Sequence, residues 1–346
     1  MIRRFNIEPV NKDQGDKIQG YLDTLTKPQG SLGIVEDISI QLGQITSNDF
    51  PVVTPPGIIV FAADHGVAAE GVSAYPQEVT VQMVHNFLNG GAAINVLAKQ
   101  IGARIEIVDM GVASDLQREG LHIKKVRHGT GNFLKEDAMT REEAIRAIEA
   151  GSEVATKVLN DGVKCLIIGE MGIGNTTSSS AVLAVLSGLD VSQVVGAGTG
   201  ISDEKQKNKR DVIRQAIDMR QPDQGDPIDI LSKLGGLEIA GMIGAILKAA
   251  EQKTPVLIDG FISTIAALLA AELHNEVKDY LFIGHQSQEV GHQHAIKLLE
   301  KTPILNLSLR LGEGTGAALA YPVLQAATNI LKEMSTFTAA GVKGKL

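Results

Sequence analysis

In Gly312-Glu313-Gly314-Thr315-Gly316 a single carboxylate sits between glycines, directly after the leucine-alternating run Ile304-Leu-Asn-Leu-Ser-Leu-Arg-Leu311. The alternation predicts a strand, and the residues from Ala317 onward predict a helix. Glycine accepts positive φ and lets backbone approach a ligand closely. A helix N-terminus adds unpaired N–H groups and partial positive charge, which favour anions. Glu313 is therefore expected at a ligand-facing turn, as a hydrogen-bond acceptor or base. On these residues alone a solvated turn glutamate is the slightly better account. The balance shifts because the rest of the chain repeats the arrangement.

Other apolar runs end in the same way. Ala63 is followed by Asp64-His65-Gly66, Val108 by Asp109-Met110-Gly111, and Ile168 by Gly169-Glu170-Met171-Gly172. Ile258 is followed by Asp259-Gly260, and Ile283 by Gly284-His285-Gln286-Ser287. Asp and Gly are common in any turn, but a series at successive strand ends is harder to dismiss. In an open parallel sheet such ends share one edge, where ligands bind. The implied pocket is rich in carboxylates and glycine turns and suits a polyhydroxylated or cationic ligand.

Anion binding has its own candidates. No GxxxxGK[ST] occurs, which excludes a P-loop. Val195-Gly-Ala-Gly-Thr-Gly-Ile201 brings the third glycine of a dinucleotide fingerprint one residue early, so a dehydrogenase reading is weak. Gly172-Ile-Gly-Asn-Thr-Thr-Ser-Ser-Ser180 leads into an expected helix at Ala181–Leu186 and supplies hydroxyls and backbone donors, a nest that needs no lysine. Lys205, Lys207, Lys209 and Arg210 follow in sequence, as a solvated helix face for all but one of them. No HExxH, paired Cys or zinc-spaced His pair appears. His292 and His294 stand two apart, off a shared helix face, so they read as structural or as supports behind site residues, and no metal is expected.

The elements that must hold these groups alternate through the middle of the chain. Expected strands are Gly57–Ala63, Ile105–Val108, Val163–Ile168, Pro255–Ile258, Tyr280–Ile283 and Ile304–Leu307. Helical patterns lie between them at Val79–Leu88, Ala92–Ala98, Arg141–Leu159, Glu204–Met219 and Ile262–Leu273. Thr140 and Glu143 form a capping box. Strand–helix–strand alternation implies a doubly wound α/β domain with a mostly parallel sheet. The ends differ from this middle. Ile18, Tyr21, Leu22 and Leu25 recur at helical spacing, and Ile34, Val35, Ile38 and Leu42 form a second stripe. Pro51–Pro56 reads as a linker, and Tyr321–Met334 is helical again. Residues 1–50 and 321–346 are expected to pair as a small helical domain beside an α/β domain spanning 51–320.

The composition fits an ordinary globular protein. The 346 residues are 44% hydrophobic and 21% charged, with a net charge of −8 and no Trp. That balance argues against nucleic acid as a partner. No apolar run approaches the roughly 20 residues of a membrane span. Cys165, alone in the chain, reads as a buried structural thiol. With no disulfide possible and no secretory segment after Met1, the cytoplasm is the expected compartment.

Together these motifs resemble one family, the nicotinate-nucleotide–dimethylbenzimidazole phosphoribosyltransferases. The match runs through Lys27-Pro-Gln-Gly-Ser-Leu-Gly33, Ala63-Asp-His-Gly66, Gly71-Val-Ser-Ala-Tyr-Pro76 and Asn89-Gly-Gly-Ala-Ala-Ile94. It continues with Glu170-Met-Gly-Ile-Gly-Asn-Thr-Thr177, Gly196-Ala-Gly-Thr-Gly200, Asp259-Gly-Phe-Ile-Ser263, Gly284-His-Gln-Ser287 and Leu309-Arg-Leu-Gly-Glu-Gly-Thr-Gly316. The resemblance implies transfer of phosphoribose from nicotinate mononucleotide to 5,6-dimethylbenzimidazole, with inversion at the anomeric carbon and release of nicotinate. It implies Glu313 as general base, with Glu170 beside it. Phosphate and nucleotide contacts are expected from Gly172, Gly174, Asn175, Thr176, Gly198, Lys209, Asp259, Gly260, Ser287 and Gly312. Ser73, Tyr75, Gln82 and Leu311 are expected to line the benzimidazole pocket. The resemblance also implies a homodimer with a Rossmann-like domain and a smaller helical domain. It implies no cofactor.

Overall fold

The strand Pro56–Ala63 (β1) is buried at every residue, as an apolar run covered by helices on both faces must be. The computed structural model describes residues 3–196 and 202–343. Gly198, and with it residues 197–201 of the Val195–Ile201 glycine segment, lies outside the described residues. Helices α1 (Lys12–Leu22) and α2 (Ile34–Thr46) precede β1, and α3 (Glu78–Leu88), α4 (Ala93–Ile101), β2 (Arg104–Gly111) and β3 (Leu121–Ile123) follow it. Next come α5 (Arg141–Asn160), β4 (Cys165–Met171), α6 (Asn175–Ser187), α7 (Val191–Val194), α8 (Asp203–Arg220), α9 (Pro227–Leu234) and α10 (Leu237–Glu251). The chain continues through β5 (Val256–Ile258), α11 (Phe261–Leu273), β6 (Leu281–His285), α12 (Val290–Leu299) and β7 (Pro303–Leu305). It ends with α13 (Thr315–Glu333) and α14 (Phe337–Ala340).

The strands form one seven-stranded sheet in the order β3-β2-β1-β4-β5-β6-β7, and every pairing is parallel. The expected α/β, doubly wound architecture is therefore what the chain adopts. The order reverses between β1 and β4, which opens a crevice at their C-terminal ends. Helices cover opposite faces of the sheet. A Cβ added to Gly241 in α10 would press on Phe61 of β1, whereas one added to Gly284 of β6 would lie 2.7 Å from Ala317 of α13. In register, Phe61 pairs with Glu170 and Val60 with Gly169, so the two glycine-facing positions of β4 and β6 share the α13 side.

Several expected boundaries move. The leucine alternation does not continue as strand past Leu305. β6 ends at His285, paired with Leu305, and beyond it the two segments share the bond from Gln288 N to Leu309 O without continuing the ladder. Leu307 and Leu311 are exposed instead. Helix α13 begins at Thr315 and runs unbroken to Glu333. The helix after the serine-rich segment starts at Asn175 rather than Ala181. Leu25 lies beyond α1 and bridges Thr336. β3, α9 and α10 are not among the expected elements: β3 is a three-residue strand on the sheet's edge, α9 carries a short stripe of Ile228, Ile230, Leu231 and Leu234 behind its start at Asp226 and Pro227, and α10 is apolar on all sides because it is buried all round. At the chain ends Ile18, Leu22, Leu25 and Leu331 form a separate apolar cluster. Thr140 and Glu143 exchange both hydrogen bonds of the capping box. Burial pushes the Cys165 thiol up to about 12.

Candidate active site

The turn that carries Glu313 is seated on the sheet by missing side chains. A Cβ on Gly169 would collide with the Glu313 carbonyl oxygen, so only glycine lets the turn lie flat on β4. Gly312, Glu313 and Gly314 all adopt positive φ, at 92°, 65° and 94°. A glutamate there is uncommon and costs backbone strain. Asp259, just past β5, holds the turn. Its Oδ2 accepts from Gly314 N at 3.2 Å and its Oδ1 from Ala317 N at 2.9 Å, which caps the start of α13. The Glu313 side chain points to another helix start. Its Oε2 accepts from Ile94 N at 3.3 Å, in the first turn of α4. The Asn89–Ile94 segment is thus the partner of the Gly-Glu-Gly turn.

Glu170 lies at the end of β4 and is buried. Its Oε2 accepts from Asn175 Nδ2 in the first turn of α6. Its Oε1 occupies the space a Cβ on Gly312 would need. Glu170 and the Glu313 turn are therefore in contact. Burial raises the proton affinity of Glu170 well above the ordinary carboxylate range, and the neighbouring charges of Glu238, Asp259 and Glu313 add to the rise. Glu313 is raised too, first by burial, with Ile94 N–H opposing and Asp259 reinforcing. Asp259 is raised by burial against the pull of His285 and the backbone amides.

A further acid belongs to this neighbourhood and is not among the expected site residues. Glu238 opens α10, fully buried, with Oε1 2.7 Å from His65 Nε2. It is the lone acid at the head of an otherwise apolar segment, and that isolation was the available clue. His65 in turn packs under the glycine loop after β4, where a Cβ on Gly174 would lie 3.1 Å from its own Cβ.

On the other side of Glu170 the chain gathers cation and donors. Gly174 caps α6 in the left-handed region, and Asn175 and Thr176 form the first helical turn. Lys209, fully buried, donates from Nζ to Thr176 Oγ1 at 2.9 Å. Burial brings its pKa down to about 8, opposed by the charge of Glu289. Lys205 and Lys207 are exposed, so the basic run is solvated except at Lys209. Glu289 reaches Gly196, where a Cβ would meet Oε2 at 2.7 Å, and its backbone N–H donates to Ser287 Oγ at 3.3 Å. Ser287 and Gly260 adjoin: a Cβ on Gly260 would lie 3.7 Å from that of Ser287. The strand-end turns, Lys209 and the α6 N-terminus thus converge.

The residues expected around a heterocycle are more exposed. Tyr75 is 56% and Leu311 59% exposed, Gln82 lies on the outer side of α3, and Ser73 is half-buried. Their segment is tied to the centre through Thr80, whose Oγ1 accepts from Ile173 N at 3.1 Å. Among the described residues no three His, Cys, Asp or Glu side chains are grouped to hold a metal ion, and no helix is long and apolar enough to cross a membrane.

A family model described as phosphoribosyltransferase matches residues 7–342. A protein of Halalkalibacterium halodurans named nicotinate-nucleotide–dimethylbenzimidazole phosphoribosyltransferase is 52% identical over 341 residues, 99% of this chain and 96% of its own. The chain belongs to this phosphoribosyltransferase family. A Geobacter sulfurreducens relative of the same name is 50% identical over 96% of this chain and 95% of its own. The crystal structure of CobT from Thermus thermophilus superposes with a TM-score of 0.93 at 43% identity, covering 96% of this chain and all of that one (100%). The parallel sheet and its ordering are thus the family fold.

Proposed function

We propose that this chain transfers phosphoribose from nicotinate mononucleotide to 5,6-dimethylbenzimidazole, giving an α-linked nucleotide and nicotinate with inversion at the anomeric carbon. The observation that carries the mechanism is the contact of the buried Glu170 carboxylate with the turn that carries Glu313, beside a buried lysine and a helix N-terminus. The pyridinium of the donor already bears positive charge, so its departure needs no acid. It leaves an oxocarbenium-like sugar, and a carboxylate fixed nearby stabilises that charge. Glu170 suits this role. Burial raises its proton affinity, and a cation alongside favours its ionised form. The incoming azole must lose its N–H proton as it bonds. Glu313, whose raised proton affinity makes it a stronger base than an ordinary carboxylate, takes that proton, an effect typically contributing ~10²–10⁴-fold. Lys209, Thr176 and the α6 N-terminus form the phosphate side.

Incubation of the purified protein with nicotinate mononucleotide and dimethylbenzimidazole tests the reading. The expected products are nicotinate and an α-linked ribonucleotide in equal amounts. A β-linked product would reject inversion, and the absence of any base-dependent product would reject the activity. The phosphate assignment has its own pH signature. Lys209 is charged below about 8 and neutral above it. The KM for the nucleotide should therefore climb above that pH, and Lys209→Met should show a high KM at every pH with the climb removed.

A further inference from the structure

His292, the third residue of α12, is fully buried and belongs to neither carboxylate cluster. Both of its ring nitrogens are engaged. Nδ1 lies 2.8 Å from Ser287 N, and Nε2 lies 2.9 Å from Thr264 Oγ1. A backbone N–H can only donate, so Nδ1 must present its lone pair. The ring proton then sits on Nε2 and is donated to Thr264 Oγ1. That hydroxyl passes its own proton to the Gly260 carbonyl at 2.7 Å. The direction of each bond follows from the first. A single polarised chain thus joins the turn after β6 to the turn after β5, the two turns that adjoin at Ser287 and Gly260. Burial, with the His285 ring centred 6.2 Å away, brings the His292 pKa down to about 3, in keeping with a ring that has no room for a second proton.

We infer that His292, as the neutral Nε2-protonated tautomer, is a positioning residue that fixes Ser287 and Gly260 against the sugar–phosphate of the nucleotide. The inference rests on the reading of those two turns as nucleotide contacts of the proposed phosphoribosyl transfer. Its geometry also explains why a histidine is used. One planar ring accepts at one end and donates at the other, and it spans two turns without taking up a charge.

Two measurements on the full-length enzyme decide it. In ¹⁵N NMR of histidine-labelled protein, the resonance absent from His292→Asn should report the Nε2–H tautomer without titration from about pH 5 to about pH 9. An ordinary titration overturns the proposed chain whether or not the protein transfers phosphoribose. In kinetics, His292→Asn places its amide oxygen where Nδ1 stands and keeps the acceptor for Ser287 N–H. His292→Gln extends toward Thr264 and leaves that N–H without an acceptor. The Gln variant should raise the nucleotide KM about tenfold, the scale of one lost hydrogen bond, with the KM for the base unchanged. The Asn variant should stay within about threefold of wild type. Equal KM changes in the two variants, at equal melting temperatures, would overturn the positioning role. Failure of the wild-type enzyme to bind the nucleotide at all would instead overturn the assignment of the turns.

Discussion

The acids at the ends of β1 and β2 and those around β4 and the α13 turn share one rim of one sheet, yet they are bonded differently. Asp109 accepts from Val112 N at 2.8 Å and faces Lys125 Nζ at 3.3 Å. Asp64 accepts from Ala113 N at 2.8 Å, so the loop after β2 is folded onto both. Around β4, Glu170 has the Asn175 amide and Glu313 a single longer bond from Ile94. Burial raises the proton affinity of all four, so the shift does not separate them. What they are bonded to does. Asp64 and Asp109 each accept from an amide of the loop after β2, with Asp64 Oδ1 and Asp109 Oδ2 left without a hydrogen bond, whereas Glu170 accepts from a side-chain amide of α6 and Glu313 from the first turn of α4. Asp259 shows that the difference follows bonding rather than place: it sits among the second set but spends both oxygens on the α13 start.

The sharpest way to break the contrast is Glu313→Gln. It retains shape and an acceptor but cannot take the azole proton. Turnover should fall by at least about two decades, with little change in nucleotide KM. Near wild-type turnover would return Glu313 to the loop-holding class. The opposite outcome is expected at Asp109. Asp109→Ala leaves Val112 N–H and Lys125 without their carboxylate, and should cost about 1–3 kcal/mol in denaturant unfolding. Turnover of the folded fraction should be unchanged. A selective loss of turnover at unchanged stability would place Asp109 in the chemistry.

The rim was legible in the sequence because it depends on local grammar. An apolar run followed by an acid beside a glycine is readable one strand at a time, and the glycines proved to be where the turn and α13 press on β4 and β6. What could not be read depends on partners distant along the chain. Glu238 reaches His65 from 173 positions away, and α10 shows no stripe because every side is covered. The leucine run through Leu311 carries strand periodicity, but β6 ends too soon to pair with it. Lys209 looks like its exposed neighbours Lys205 and Lys207 until α8 is set against Thr176. Whether a carboxylate anchors or reacts is of this second kind, since it turns on which amides arrive from elsewhere.

Glu170 gives the smallest effect and the most discriminating sign. Its proton affinity in the folded protein lies well above the ordinary range, near which it titrates when unfolded. Between those two values the native state holds a proton that the unfolded state has released. Stability from this group is therefore complete at low pH and declines as pH rises. Glu170→Gln removes that decline and keeps an acceptor for Asn175. The variant should match wild type in acid and exceed it in Tm by something on the order of 2 °C near neutral or alkaline pH. Turnover should fall together with that gain, because a neutral amide cannot face the sugar cation with charge. If Glu170 were an anchor of the Asp109 kind, the same substitution would lower Tm at every pH. A melting series across pH thus separates a carboxylate kept for reaction from one spent on the fold, without reference to any substrate.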